Sequence, residues 1–139
     1  FSVDMEIFKG KRILLAEDND LNAEIATEIL TEVGFEIVRA EDGKICLEKI
    51  ENHTASYFDL ILMDIQMPNM NGYEAAVAVR KLTDPKKSGI PIIAMTANAF
   101  EEDKKEALRC GMNGHLAKPI NVNDVFRQLS HVLKKTESE

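Results

Sequence analysis

A chain of 139 residues has the size of one domain, about 100–150 residues. With 45% hydrophobic and 29% charged residues it is no disordered tail and has material for a sizeable core. Seventeen basic against 24 acidic residues give a net charge of −7, which disfavours nucleic acid and direct contact with anionic membranes and favours a cation as small partner.

No apolar run approaches the roughly 18–20 residues of a membrane span. Phe1 to Lys9 lacks the basic start and apolar centre of a signal peptide. Cys46 and Cys110 lie far apart, form no CxxC pair and suit a reducing cytosol. Asn52-His53-Thr54 fits the glycosylation pattern, which without secretion is chance. The expected location is cytoplasmic, with any membrane anchor belonging to a longer parent chain.

Short apolar runs alternate with amphipathic stretches. Ile13 to Ala16 is continuously apolar, too short for a helix and suited to a strand covered on both faces. Leu21, Ile25, Ile29, Leu30 and Val33 then recur at helical spacing, with Gly34 placed to stop the helix. Phe35 to Ala40 reads as a second strand. Asp42 to Ile50 reads as a short helix with Ile45, Leu47 and Ile50 inward.

Phe58 to Met63 is the third expected strand. Asn71 to Leu82 is a helix whose Asn71 and Glu74 form a capping-box variant. Pro91 to Met95 is a fourth strand, Asn98 with Glu101 opens a helix running to Gly111, and Asn113 to Ala117 is a fifth strand. Val122, Val125, Phe126, Leu129, Val132 and Leu133 give the last helix a broad apolar stripe. Five strands each followed by a helix predict an α/β fold, a doubly wound five-stranded parallel sheet. Residues 11–135 form the predicted domain, flanked by 1–10 and 136–139.

In open α/β sheets, ligands bind beyond the carboxyl ends of the strands. The residues there are Glu17 and Asp18 after the first strand, Asp64 after the third, Thr96 after the fourth and Lys118 after the fifth. Three clustered carboxylates repel unless a cation joins them, and hard oxygen ligands without His or Cys favour Mg²⁺. A Lys and a Thr opposite the metal suit a phosphoryl group, whose transfer depends on positioning and charge neutralisation. A carboxylate can be the nucleophile, giving an aspartyl-phosphate, and Asp64 on the central strand is the candidate. Each of these residues alone is more often a helix cap or a solvated side chain; their placement after four different strands makes them a constellation.

The segments Ile13-Leu14-Leu15-Ala16-Glu17-Asp18-Asn19, Met63-Asp64-Ile65-Gln66-Met67-Pro68, Asn71-Gly72-Tyr73-Glu74, Met95-Thr96-Ala97 and Leu116-Ala117-Lys118-Pro119-Ile120 resemble the receiver domain of two-component response regulators. The resemblance covers about residues 11–135 and implies the flavodoxin-like strand order 2-1-3-4-5 and a cis Lys118–Pro119 bond. It implies Asp64 as phosphoacceptor from a histidine kinase phosphohistidine, in a domain that catalyses its own phosphorylation and dephosphorylation. It further implies Asp18, Asp64 and the Gln66 carbonyl as Mg²⁺ ligands, Glu17 acting mainly through water, and Thr96 and Lys118 contacting the phosphoryl oxygens.

The motif style is most similar to receivers of hybrid histidine kinases, which pass the group to a histidine phosphotransfer protein. No output domain is visible, and Phe1 begins without a Met, as in an excised domain. His115 stands where the family usually has Tyr or Phe, whose ring moves inward when the threonine engages the phosphoryl group. That departure favours a relay over a terminal switch. Leu21, Asn22 and Ile25, beside the acidic pair, are then the docking candidates.

A stand-alone response regulator is the alternative within the class. A flavodoxin-type carrier would need an anion loop where Glu17 and Asp18 repel phosphate. An Asp-nucleophile phosphatase would need an acid where Gln66 stands, and the intact acid set counts against a scaffold-only pseudo-receiver.

Overall fold

The structure, a computed structural model, describes residues 6–97 and 101–138. Five strands, β1 (Arg12–Ala16), β2 (Glu36–Ala40), β3 (Leu60–Asp64), β4 (Ile92–Thr96) and β5 (Gly114–Ala117), form one parallel sheet in the order β2-β1-β3-β4-β5. Between and after them lie α1 (Asp20–Glu32), α2 (Gly43–Asn52), α3 (Gly72–Arg80), a single turn α4 (Pro85–Ser88), α5 (Glu101–Arg109) and α6 (Val122–Ser138).

Alternate strand residues leave the sheet on opposite faces, and both faces are covered. Ile13, Leu15, Leu62 and Met95 pack with Ala26 and Leu30 of α1 and with Val125 and Leu129 of α6. Leu14, Ala16, Ile61 and Met63 pack with Cys46 of α2, Ala76 of α3 and Ala107 of α5. This is why the strands read as unbroken apolar runs.

The helix boundaries have local causes. Asn19 and Asp42 cap α1 and α2 by accepting from Asn22 N and Ile45 N. Asn71 and Glu74 form the full capping box at α3. Gly34 and Gly111, at φ +111° and +94°, take the left-handed position after α1 and α5. There Phe35 N reaches Leu30 O and Gly34 N Thr31 O, and Met112 N reaches Ala107 O and Gly111 N Leu108 O, each pair making a Schellman stop.

Besides one- or two-residue shifts at other element ends, the structure departs from the sequence reading in these details. The third strand begins at Leu60 rather than Phe58, because the Asp59 carboxylate turns back to accept from Arg12 N at 2.8 Å. In α2 Ile50 is buried as expected and Cys46 is buried beside it, while Ile45 and Leu47 are only half-buried. Burial in apolar surroundings, with Asp42 nearby, pushes the Cys46 thiol up to about 12. The turn α4 was not expected; Asp84 caps it and Pro85 fits its first position.

Phe8, in the segment ahead of β1, is fully buried, with Phe35 at 4.8 Å and Phe126 at 6.0 Å between ring centroids. The expected helix start at Asn98, and residues 1–5 and 139 of the flanks, lie outside the described residues.

Candidate phosphoryl and metal site

The carboxyl ends of β1, β3, β4 and β5 open on a cleft of about 330 Å³ lined by Glu17, Asp18, Asp64, Gln66, Thr96 and Lys118. All six residues singled out in the sequence therefore meet. Asp64 and Thr96 are the last residues of β3 and β4, each buried on a rigid strand. Glu17, also buried, follows β1 directly, with its N–H bonded to Ala40 O at 3.0 Å. The Lys118–Pro119 bond after β5 is cis, as the resemblance implies.

One oxygen from each of Glu17, Asp18 and Asp64 lies within 4.8 Å of the others. The Lys118 ammonium lies between two of these groups, 2.8 Å from Glu17 Oε1 and 3.0 Å from Asp64 Oδ2. Burial pulls the Lys118 pKa down, but the bonds to Glu17 and Asp64 outweigh it and leave the group above its ordinary value. Glu17 Oε2 accepts from Asn19 N at 3.2 Å, so both its oxygens are engaged. Asp64 Oδ1 has only a long contact to Gln66 N, 3.4 Å. Exposed Asp18 has no hydrogen bond or ion pair among the described residues.

Two features bear on what the cleft suits. A single ammonium leaves three adjacent carboxylates short of positive charge, and an all-oxygen donor set of this kind suits Mg²⁺. Thr96 Oγ1 is buried without a hydrogen-bond partner among the described residues, a state that costs about 1–3 kcal/mol unless something fills it. The residues present therefore fit a divalent cation beside an oxyanion. Tyr73 and Asp103 also line the cleft. Neither follows a strand, so strand-end reasoning passes over them. Burial, with Asp103, Glu106 and Cys110 nearby, raises the Tyr73 phenol above its ordinary value.

The sequence profile of the response regulator receiver domain matches residues 13–130. The chain belongs to that family. This receiver domain is 42% identical over 114 residues to hybrid signal transduction histidine kinase I of Dictyostelium discoideum, covering 80% of the chain and 6% of that protein. It is 35% identical over 128 residues to the sensor protein GacS of Pseudomonas syringae pv. syringae, covering 91% of the chain and 13% of that protein. The chain thus spans a small fraction of these relatives. It is also similar to the receiver domain of a sensor histidine kinase from Pseudomonas aeruginosa PAO1, solved with a magnesium ion coordinated in the active site cleft. There the identity is 32% and the TM-score 0.76, covering 94% of this chain and 99% of that one.

Two further placements bear on the relay question. Leu21 and Ile25 are 63% and 42% exposed, and Asn22 is exposed, so all three face solvent on the first turns of α1. His115 is half-buried on β5 opposite Ala94. Burial and Lys104 lower its pKa, with Glu101 opposing them. No helix of the described residues is long and apolar enough to cross a membrane.

Proposed function

We propose that Asp64 accepts a phosphoryl group from the phosphohistidine of a histidine kinase and passes it to a histidine phosphotransfer protein, with residues 11–135 as the acting unit. The carrying observation is the Asp64 carboxylate, 3.0 Å from Lys118 Nζ and sharing its cleft with the unpartnered Thr96 hydroxyl. An Asp64 oxygen attacks phosphorus; the new P–O bond forms as the P–N bond breaks. The imidazole leaves with the electron pair and takes up a proton. Lys118 then meets the transferred oxygens as a point charge, and Thr96 donates its hydroxyl hydrogen to one of them. Asp18, Asp64 and the Gln66 carbonyl would hold Mg²⁺, with Glu17 acting through water. Bound there, the ion supplies charge neutralisation between the nucleophile and the incoming group.

Passing the group onward requires a surface on which a histidine-bearing helix can sit, and exposed Leu21, Asn22 and Ile25 beside the acidic pair supply one. The similarity to a hybrid histidine kinase supports a relay role. The test loads the domain with acetyl phosphate and mixes it with a phosphotransfer protein. Leu21→Asp or Ile25→Asp slows transfer while labelling by acetyl phosphate stays intact, and His115→Ala leaves transfer unchanged. Transfer indifferent to the α1 variants but abolished by His115→Ala would replace the relay with a switch working through α5 and β5.

A further inference from the structure

The connection from β2 to α2 puts no side chain into the cleft, yet with the end of β2 it is bonded to the β1–α1 loop, which carries Glu17 and Asp18, and to the β3–α3 loop, which follows Asp64 and carries Gln66. Arg39, near the end of β2, donates from Nε and Nη2 to the Glu17 carbonyl at 3.1 and 2.9 Å, and from Nη1 to Asp20 Oδ1 at 2.8 Å. One guanidinium thus brackets the β1–α1 loop on both sides of Asp18. Three residues on, Asp42 uses Oδ1 for the cap on Ile45 N, which needs nothing more. Its second oxygen, Oδ2, accepts from Asn69 Nδ2 at 2.8 Å, in the β3–α3 loop that follows Asp64 and Gln66.

Asn69 sits at φ +65°, a left-handed conformation that a non-glycine residue takes up at a cost. The bond to Asp42 helps to hold it there. Contact between the two segments is close. Gly43 N bonds to Met70 O at 3.2 Å, and a Cβ at residue 43 would fall 2.5 Å from that oxygen. Asp42 is buried, and its bonds to Ile45 and Asn69 hold its carboxyl below the ordinary range despite that burial.

We propose that Arg39 and Asp42 are positioning residues which tie the β1–α1 loop to the β3–α3 loop through the β2–α2 connection, and so set the spacing between Asp18 and the Gln66 carbonyl. The inference rests on the reading that these two groups, with Asp64, hold Mg²⁺. A plain edge-strand arginine and a plain helix cap would explain neither the fork on the Glu17 carbonyl nor the second oxygen committed to Asn69.

The test is calorimetric titration with Mg²⁺ alone on the wild type and on Arg39→Ala, Arg39→Lys, Asp42→Asn and Arg12→Ala, with urea midpoints measured alongside. Arg12 is a partly buried arginine at the amino end of β1, bonded to Tyr57 O and Glu36, and serves as the comparator for general loosening. Arg39→Ala raises the Mg²⁺ Kd about tenfold, the low end of what removing a support of metal ligands costs. Arg39→Lys, which keeps the charge but loses the fork, raises it less, and it carries the test if the alanine variant does not fold. Asp42→Asn keeps the cap oxygen but turns an amide toward Asn69, and it also raises Kd. Arg12→Ala leaves Kd unchanged whatever its urea midpoint. A wild-type Kd in Arg39→Ala, or an equal rise in Arg12→Ala, overturns the inference alone. A wild type that takes up no Mg²⁺ overturns it together with the reading on which it rests.

Discussion

The two edges of the sheet treat charge in opposite ways. At the amino edge four of the five N–H donors of the Arg80 guanidinium are placed: Nη1 donates to Ser88 O and Ile90 O at 2.7 and 2.6 Å, Nε to Gly111 O at 2.8 Å, and Nη2 to Asn113 Oδ1 at 2.9 Å. Asn113 Oδ1 also accepts from Ile92 N, so this cluster joins α3, α4, β4 and the turn into β5. At the carboxyl edge, three carboxylates cluster around one lysine that pairs with two of them, and a buried hydroxyl has no partner among the described residues. An edge whose polar groups satisfy one another contributes stability. An edge that gathers carboxylates and a buried hydroxyl on strand ends suits a cation beside an oxyanion.

That contrast predicts where substitutions act. Arg80→Ala leaves several carbonyls near the amino edge without their donors. It should cost about 3 kcal/mol in urea unfolding, while the folded fraction still labels with acetyl phosphate at the wild-type rate. A variant of undiminished stability, or one folded but unable to label, would break the division between the edges.

The next effect belongs to the cation. Wild-type stability should rise by about 2.7 kcal/mol when free Mg²⁺ reaches 100 times its Kd, and Asp18→Asn should lose most of that gain at the same concentration. Equal Mg²⁺ stabilisation in both proteins would remove Asp18 from the ligand set.

Thr96→Val sharpens the comparison further, because it removes the orphan hydroxyl without changing the shape of the side chain. Its unfolding free energy should stay level or rise by up to about 1 kcal/mol, while its NMR response to beryllofluoride shrinks. A clear loss of stability would mean that the hydroxyl is satisfied in the resting protein.

The smallest effect is at His115, beside the rim. Its folded-state pKa lies below the ordinary value of 6.5, so its contribution is fully present above that pH and is lost as pH falls through the folded-state value. Between pH 7.5 and 5.5 the urea midpoint should fall less in His115→Gln than in the wild type. Parallel curves would contradict the shift.

How much of this was legible in the sequence follows the same line. Glu17, Asp18, Asp64, Thr96 and Lys118 could be found because each ends an apolar run, and the end of a buried strand is a place that local pattern marks. The strands and the caps at Asn71 and Gly34 were visible for the same reason. Arg80, Arg39 and the Asp42–Asn69 pair were not, since their partners lie 8 to 33 residues away along the chain and no periodicity announces them. The shortened start of β3 likewise depends on a bond from Asp59 to Arg12, 47 residues distant. Tertiary hydrogen bonds of this kind adjust boundaries and hold loops, and single-chain pattern carries little trace of them.

The central claim is that Asp64 carries the phosphoryl group, and mass mapping of the modified residue tests it most directly. Wild type and Asp64→Asn are incubated with acetyl phosphate and Mg²⁺, weighed intact, then reduced with borohydride, which converts an aspartyl-phosphate to homoserine, and digested. The account predicts one added phosphoryl group on the wild type, a single homoserine at position 64, and neither in the variant. Undiminished labelling of Asp64→Asn, or a homoserine at position 18, would contradict it.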